Sequence, residues 1–582
     1  MKLRPYQHNG VSSTFLGWES GLRSLLGVMP TGCGKTVVFA SVIRRIFPKR
    51  TMVLAHRAEL VWQARDKIKQ VTGFNVDVEM AEYKASNQAG LFYPSAQVIV
   101  STVQTHCAGG DGAGRMSKFD PMDFGLLVID EAHHAVSPSY RRIIEYYKTN
   151  PNLKILGVTA TPDRSDEEAL GQVFEEVAFD YEILDAIKDG WLVPIEQQFV
   201  SIDDLDFSKI RTTAGDLNQG DLDAVMKSEK NLHGVASATI EIIGGRRGIG
   251  FASSVEHARL LADIFNRHKP GMANYVHGGT DKEERKMIIS DFAAGRYQFL
   301  WNCGVFTEGF DDAGVEVISM ARPTKSRCLY AQMAGRATRP HNSIAHTLND
   351  VENAAKRRWM IQKSVKPSCL IIDFVGNSGK HKLATTADIL GGNVSDEVLD
   401  LAIKSAQKSR GPVRMDRNIL EEEERLEQAK ARAAEESARK ARLVANASYK
   451  TTKVDPFDIL QIKPVTKTRE WNKNKVMSEK CKKIVRERFG LNPDELSYEN
   501  GMNLVHEFFR RIEGKLCTFP QAKILKKFGC STDVTFQDAS AMIDAIARNK
   551  WKGLPASFQL APKEAPTQDS INEPLVDGDV PF

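Results

Sequence analysis

Apolar residues follow two different patterns along the 582 residues of this chain. In the first two thirds they come as short continuous runs. "LLGVM" (25–29) leads through a glycine turn into "TVVFASVIRRIF", and "GLLVI" (125–129) stops abruptly at two acids. A run with no polar face is what a strand covered on both sides requires, so strand, turn and helix in that order predict parallel α/β units. The last third changes character. "ILEEEERLEQAKARAAEESARKARLV" (419–444) has too few large apolar residues for a coiled-coil seam and reads as a solvated helical spacer, with Glu421/Arg425, Glu435/Arg439 and Glu436/Lys440 at i,i+4. Residues 386–418, short helix broken by Gly and Pro, read as a connector.

Beyond the spacer the pattern repeats. "KKIVRERFGLNPDELSYENGMNLV" (482–505) and "KILKKFGCSTDVTFQDASAMI" (523–543) share a basic amphipathic helix, Phe-Gly, a polar loop with Asp, an aromatic and a second helix. Phe489-Gly490 matches Phe528-Gly529, Asp494 matches Asp533, and Tyr498 matches Phe536. Phe-Gly suits a helix C-terminus, and the aromatics are expected to pack between the helices as core.

Composition narrows the class. The chain is too long for one core, and 42% hydrophobic with 26% charged residues is ordinary for a soluble protein. No run of about 18 apolar residues is present and the start, "MKLRPYQHNG", lacks a signal peptide's apolar stretch, so the expectation is a cytoplasmic protein. Eight cysteines stand singly without a C-x-x-C pair, which argues against a zinc ribbon, an iron–sulfur cluster or a disulfide framework. Residues 446–560 hold 21 Lys/Arg against 13 Asp/Glu, whereas 561–582 hold one Lys against five acids. A basic block before an acidic tail suggests polyanion binding, with Lys482, Lys483, Arg486, Lys523, Lys526 and Lys527 as candidate phosphate contacts; the alternative is a solvated basic face with no ligand.

The candidate chemistry lies in the apolar runs. In "LLGVMPTGCGKT" (25–36), Gly32 and Gly34 let backbone N–H groups curl around a phosphate, with Thr31 and Cys33 in the same turn. Lys35 can reach the β- and γ-phosphates of ATP, and Thr36 can ligate Mg²⁺. Met29 stands where the strict pattern has its first glycine. In "GLLVIDEAHH" (125–134) Asp130 would hold the Mg²⁺ and Glu131 would polarise the attacking water. His133 and His134 beside two acids invite a metal reading, but adjacent residues at a strand end point apart.

These and seven further segments resemble the motifs of a superfamily-2 DEAH-type helicase over roughly residues 1–385. "LRPYQ" (3–7) is similar to the motif that reads adenine, implying Gln7 with Arg4 nearby. "VLAHRAELVWQ" (53–63) and "VIVSTVQT" (98–105) resemble the segments that hold the polymer backbone, implying His56, Arg57, Ser101, Thr102 and Gln104. "GVTATP" (157–162) looks like the coupling motif, implying Thr159 and Thr161 with His133. "GFASSVEHARLLADIF" (250–265), "FTEGFD" (306–311) and "QMAGRATR" (332–339) resemble the second motor domain, implying Ser253 and Thr307 on the polymer, Gly309 and Asp311 near the nucleotide, Gln332 near the γ-phosphate, and Arg336 and Arg339 as arginine fingers.

The resemblance therefore implies two tandem RecA-like parallel-sheet domains (1–195 and 196–385), then a connector and spacer (386–445), a basic, mainly α module (446–560) and an acidic tail (561–582). "RSDEEALGQVFEEVAFDYEILDAIKDGWLVPIE" (164–196) resembles the XPB, RadD and UvsW-like DNA repair and recombination branch of bacteria and phages, implying an ATP-dependent DNA helicase or translocase. The alternatives are a double-strand translocase of a restriction or defence system, and an RNA helicase. A monomer in solution is expected. The end, "VDGDVPF", with Asp577, Asp579, Pro581 and Phe582, is similar to the tips of bacterial single-stranded-DNA-binding proteins, implying a share in their partners. A tail folded back on the basic module, or one with no role, stays open.

Overall fold

In a computed structural model of the chain, the residues described are 3–85, 96–108, 115–160, 170–213, 215–307, 309–377, 381–391, 394–409, 411–444, 455–465, 472, 475–555 and 558. The chain divides into two compact units, Met1–Ala447 with Arg469–Lys473, and Ser448–Thr468 with Asn474–Phe582.

The larger unit holds two seven-stranded sheets. The first contains β1 (Ser24–Val28), β2 (Arg50–Ala55), β3 (Val76–Glu79), β4 (Val98–Thr102), β5 (Phe124–Asp130), β6 (Lys154–Thr159) and β7 (Glu176–Asp180). Their order is β3-β4-β2-β5-β6-β1-β7, and every pairing is parallel. All residues of β1, β4 and β5 are buried, as their unbroken apolar runs require. β1 is paired on both sides, by β6 and β7, and the turn that follows it opens at the carboxyl edge of the sheet, where doubly wound folds bind ligands.

The second sheet begins with β8 (Ile195–Asp206), which is followed by a small hairpin of β9 (Thr212–Thr213) and β10 (Asp216–Leu217). It continues with β11 (Gly248–Phe251), β12 (Ala273–His277), β13 (Phe299–Cys303), β14 (Val317–Met320) and β15 (Cys369–Asn377). The order is β12-β13-β11-β14-β15-β8-β16, in which β16 (Val413–Arg414) alone runs antiparallel, against β8.

β16 lies inside the stretch expected as a free connector, and that stretch is packed. Helix Thr386–Leu390 is wholly buried, and helix Asp396–Gln407 buries Val398, Leu399, Ala402 and Ala406. The expected spacer is the later part of one 30-residue helix, Met415–Val444, whose Met415 and Ile419 are 0% exposed. Asn418 Nδ2 donates to the Ala402 carbonyl at 3.0 Å. Four-residue spacing of Met415 and Ile419 gives the start of that helix an apolar stripe, which docks; the charged remainder has none.

The smaller unit shows the duplication. Helix Glu479–Ile484 widens through Val485–Phe489 and stops at Gly490, and helix Phe519–Lys527 stops through Phe528 at Gly529. Both glycines are left-handed, with φ 69° and 72°. Ser497 caps Tyr498–Glu513 and Thr535 caps Phe536–Arg548 through side-chain oxygens. Val485, Phe489, Leu504, Leu525, Ala539, Met542 and Ile546 share one core. The expectation of core aromatics fails at Phe536, which is 51% exposed. Its counterpart Tyr498, also the first residue of its helix, packs against the core, so the two repeats differ here. Among the described residues, no helix is long and apolar enough to cross a membrane.

Candidate active site

The turn after β1 is built on two glycines. Gly32 (φ 89°) and Gly34 (φ 82°) occupy the left-handed region, which costs a residue with a Cβ about 1–2 kcal/mol. A Cβ on Gly34 would lie 2.7 Å from Gln7 Nε2, and one on Gly32 would lie 3.1 Å from Arg339 Cγ. Helix Lys35–Ile46 starts at once with Gly34 as its N-cap and no side-chain cap, so its first N–H groups face the turn.

β5 delivers the acids. Asp130 and Glu131 are 7% and 8% exposed, and Lys35 Nζ stands 3.1 Å from Glu131 Oε1. Glu131 adopts φ 48°, a conformation costing a side-chain-bearing residue about 1–3 kcal/mol, and Asp130 Oδ1 accepts its N–H at 3.0 Å. His133 Nδ1 is 3.2 Å from Thr159 Oγ1 at the end of β6, and 3.6 Å from Glu131 Oε2. Contrary to the expectation that they point apart, the His133 and His134 ring centroids lie 4.1 Å apart, and His134 also stacks on His56 with ring centroids 4.3 Å apart. His133 and Thr159 are thus in contact, while Thr161 lies outside the described residues.

Helix Pro5–Glu19 closes one side of the turn. Gln7 is 4% exposed; its Nε2 donates to the Cys33 carbonyl at 2.9 Å and its Oε1 accepts the Arg4 N–H at 3.0 Å. Tyr6 donates to the same carbonyl at 2.8 Å. Burial pushes the Cys33 thiol up to about 12, so it stays protonated near neutral pH. The Arg4 guanidinium lies 4.4 Å from the Trp191 ring centre, and that of Arg357 lies 4.1 Å from it. Arg4 also donates to Asn349 Oδ1 at 2.9 Å. Asn349 and Arg357 carried no signal in the motifs, because they come from the stretch between β14 and β15, far along the chain.

The second sheet contributes the facing wall. Gln332, on helix Arg327–Ala334, is 5% exposed, and its Nε2 is buried without a partner among the described residues. Arg336, 9% exposed, forks onto the carbonyls of Phe310 and Thr307, both at 2.6 Å. Arg339 pairs with Asp311 and runs beside Gly32, and a Cβ on Gly335 would meet Thr31 Cβ at 3.0 Å. Of the two expected fingers, Arg339 approaches the phosphate turn, whereas Arg336 braces the 307–310 loop.

The expected polymer contacts divide. Ser101 is fully buried: its Oγ donates to the Glu79 carbonyl at 2.8 Å and lies 3.1 Å from His106 Nδ1. Ser253 is equally buried, donating to Asp223 Oδ1 at 2.9 Å and lying 2.8 Å from His257 Nδ1. Both hydroxyls are spent inside the fold, and neither side chain is exposed for the expected polymer contact. Burial also pushes His106 and His257 down to about 4, keeping them neutral. Thr307 is 6% exposed, Thr102 caps the next helix through its side chain, and Gln104 is exposed.

Arg57 does not stand alone on the surface: Nη1 donates to the Gly304 carbonyl at 3.2 Å. Next to it, Gln63 Nε2 donates to the Gly309 carbonyl at 2.9 Å, and Glu59 lies 3.6 Å from Arg285. These contacts clasp the first sheet's body to the 304–311 loop of the second, a role that motif matching did not suggest for Gln63. In the smaller unit Lys482 is held by Asp494 at 2.8 Å and Lys526 lies 3.4 Å from Asp458. Lys483, Arg486, Lys523 and Lys527 are exposed. Asp577, Asp579, Pro581 and Phe582 lie outside the described residues.

The chain matches two protein-family models, "Type III restriction enzyme, res subunit" over residues 1–164 and "Helicase conserved C-terminal domain" over 234–341. It is 30% identical over 414 residues to "Putative ATP-dependent helicase IRC3" of Saccharomyces cerevisiae, covering 68% of this chain and 54% of that protein. It is 29% identical over 423 residues to "Putative mitochondrial ATP-dependent helicase irc3" of Schizosaccharomyces pombe, covering 71% and 63%. A "Type I restriction enzyme EcoAI endonuclease subunit" of Escherichia coli is 25% identical over 367 residues, 58% of this chain and 44% of that one. The chain thus spans between half and two thirds of the length of the two helicase relatives.

Proposed function

The chain belongs to the superfamily-2 helicases, carrying both of their motor domains, and from this premise we propose that it is an ATP-dependent DNA helicase or translocase serving repair, recombination or replication in the cytoplasm. The observation that carries the reading is the meeting of two walls at one glycine turn. Lys35 and Glu131 stand on one side; Gln332 and Arg339 come from the other, with Arg339 Cγ 3.1 Å from a Cβ built on Gly32. A site shared in this way is complete only while the two bodies are closed, which ties hydrolysis to their spacing.

The residues suit ATP as substrate with Mg²⁺. The turn has no room for a Cβ at Gly34, and the buried Gln332 amide donor has no partner among the described residues. Thr36 and Asp130 would hold the Mg²⁺, which when bound would offset phosphate charge. Lys35 binds the phosphates, Glu131 orients the attacking water and accepts its proton, and Arg339 supplies positive charge to the leaving phosphates. Arg336 positions the loop whose Asp311 pairs with Arg339. His133 relays between Glu131 and Thr159.

DNA as the polymer rests on the DNA-repair branch to which residues 164–196 are similar. The restriction-enzyme relative supports movement on duplex without strand separation as the second reading. The test is ATP turnover with single-stranded, duplex and forked DNA and with RNA, beside strand- and triplex-displacement assays. Stimulation by DNA is expected; stimulation by RNA alone, or by nothing, refutes the reading. For the tail, we infer that Phe582 behind Asp577 and Asp579 engages proteins that hold such acidic, aromatic tips. Deleting Phe582 should then abolish their binding, and undiminished binding would refute it.

A further inference from the structure

We propose that Trp551 and the lysines around it form a stacking site for the unpaired bases of single-stranded DNA, an inference that rests on the motor reading for its purpose but on separate residues for its chemistry. Helix Phe536–Arg548 ends in a tight reversal: Lys550 N–H donates to the Ala547 carbonyl at 3.0 Å, Trp551 N–H to Ile546 at 3.0 Å, and Lys552 N–H to Asn549 at 3.2 Å. Asn549 Nδ2 ties the turn to the Gly553 carbonyl at 3.0 Å. Lys550 and Trp551 both adopt left-handed backbone, φ 53° and 58°, which L side chains rarely do. Elsewhere in this unit glycines take the left-handed helix ends at 490 and 529, and Gln461 and Lys515 take two others, so the backbone holds the indole at a helix end without requiring it there.

That indole is not core. Trp551 is 54% exposed, whereas Phe489 in the same unit is 6% exposed. A tryptophan is normally among the most buried side chains, because its ring carries so much apolar area. The Trp551 ring leans on Phe528, with centroids 6.0 Å apart and a 33° tilt, and Lys527 Nζ lies 5.8 Å from the Phe528 ring centre. Lys527, Lys550 and Lys552 are all exposed, and neither 523–530 nor 545–555 contains an acid. Among the described residues, a Cβ on Gly529 or Gly553 would meet nothing within 4 Å.

A flat apolar ring framed by ammonium groups takes a base on its face and phosphates at its rim. Duplex DNA keeps its base faces stacked internally, so the site favours unpaired strands. Charge complementarity selects nucleic acid over an apolar peptide.

The test uses the full chain and a fluorescent oligo-dT. Trp551→Ala should weaken binding about 5- to 150-fold, with duplex affinity and DNA-independent ATP turnover unchanged. Trp551→Phe should recover most of the loss. Lys550→Gln with Lys552→Gln should instead lower the slope of log affinity against log salt by about 1.4, from roughly 0.7 per contact. Oligo-dT affinity unchanged in Trp551→Ala, or lost equally for duplex and single strand, overturns the stacking site while DNA-stimulated hydrolysis still stands. If the parent chain shows no DNA-stimulated hydrolysis, the motor reading fails, and the oligo-dT arm still decides the site.

Discussion

Arg336 gives the sharpest test of how the site is assembled. Its two Nη atoms each donate to a buried carbonyl, those of Phe310 and Thr307, at 2.6 Å, and the residue is 9% exposed. A hydrogen bond from a charged donor contributes about 1.5–3 kcal/mol, so the fork holds the 307–310 loop by about 3–6 kcal/mol. If that loop must be held for Asp311 to keep Arg339 at the phosphate turn, Arg336→Ala should lower kcat about 10²- to 10⁴-fold. Arg336→Lys keeps the charge but offers one compact ammonium where a planar fork spans two carbonyls. It should lose roughly half the interaction energy, a fall of about 10- to 150-fold. Affinity for a fluorescent nucleotide should stay within about 3-fold in both variants, since Lys35 and the glycine turn are untouched. The assay is single-turnover ATP hydrolysis beside equilibrium binding. A lysine variant turning over within about 3-fold of the parent would refute the fork, because charge alone would then suffice. Loss of nucleotide affinity together with kcat would show that the loop supports the turn itself.

Other residues give independent checks. Gly34→Ala combines φ 82° with a Cβ 2.7 Å from Gln7 Nε2, so it should destabilise the turn by at least about 1–2 kcal/mol and weaken nucleotide binding about 10-fold or more; binding unchanged would show that the turn can shift. Gln63→Ala removes a 2.9 Å bond to Gly309 across the cleft, so DNA-stimulated turnover should fall by about 2- to 10-fold while unstimulated turnover holds; an equal fall in both would refute the closure role. Asp373 accepts from Tyr330 and Gln197 inside the second sheet's body, and burial raises it to about 6. A folded-state value above the unfolded one favours the folded protein below about pH 4, and that contribution is lost as pH rises through about 6. Asp373→Asn should therefore raise the unfolding free energy from urea titration by about 1–1.5 kcal/mol more at pH 8 than at pH 5; an equal gain at both pH values would refute this.

Local chemistry decided much of this protein before any folding was considered. Continuous apolar runs at 25–29 and 125–129 could only be covered strands, and glycine next to Lys35 could only be a tight turn into a helix. Likewise, Phe-Gly closing a basic helix twice predicted the paired hairpins of the smaller unit. Each of these is set by neighbours within a few residues, where backbone sterics and apolar periodicity act.

Contacts between distant residues were decided by the tertiary structure alone. Gln63 meets Gly309 across 246 residues, Arg357 reaches Trp191 from another body of the fold, and Arg336 forks onto the carbonyls of Thr307 and Phe310. Residues 386–418 read as a connector because Gly and Pro break them into short pieces; they fold because β8 offers β16 an edge and the helices share an apolar face. Ser101 and Ser253 resembled surface contacts, but only the packing around His106 and His257 shows their hydroxyls to be spent. Trp551 reversed the usual expectation, since a sequence marks an indole as core and only the fold reveals two left-handed residues holding it outside. Patterns along a chain record which groups must leave water, whereas which groups then meet depends on how two bodies close.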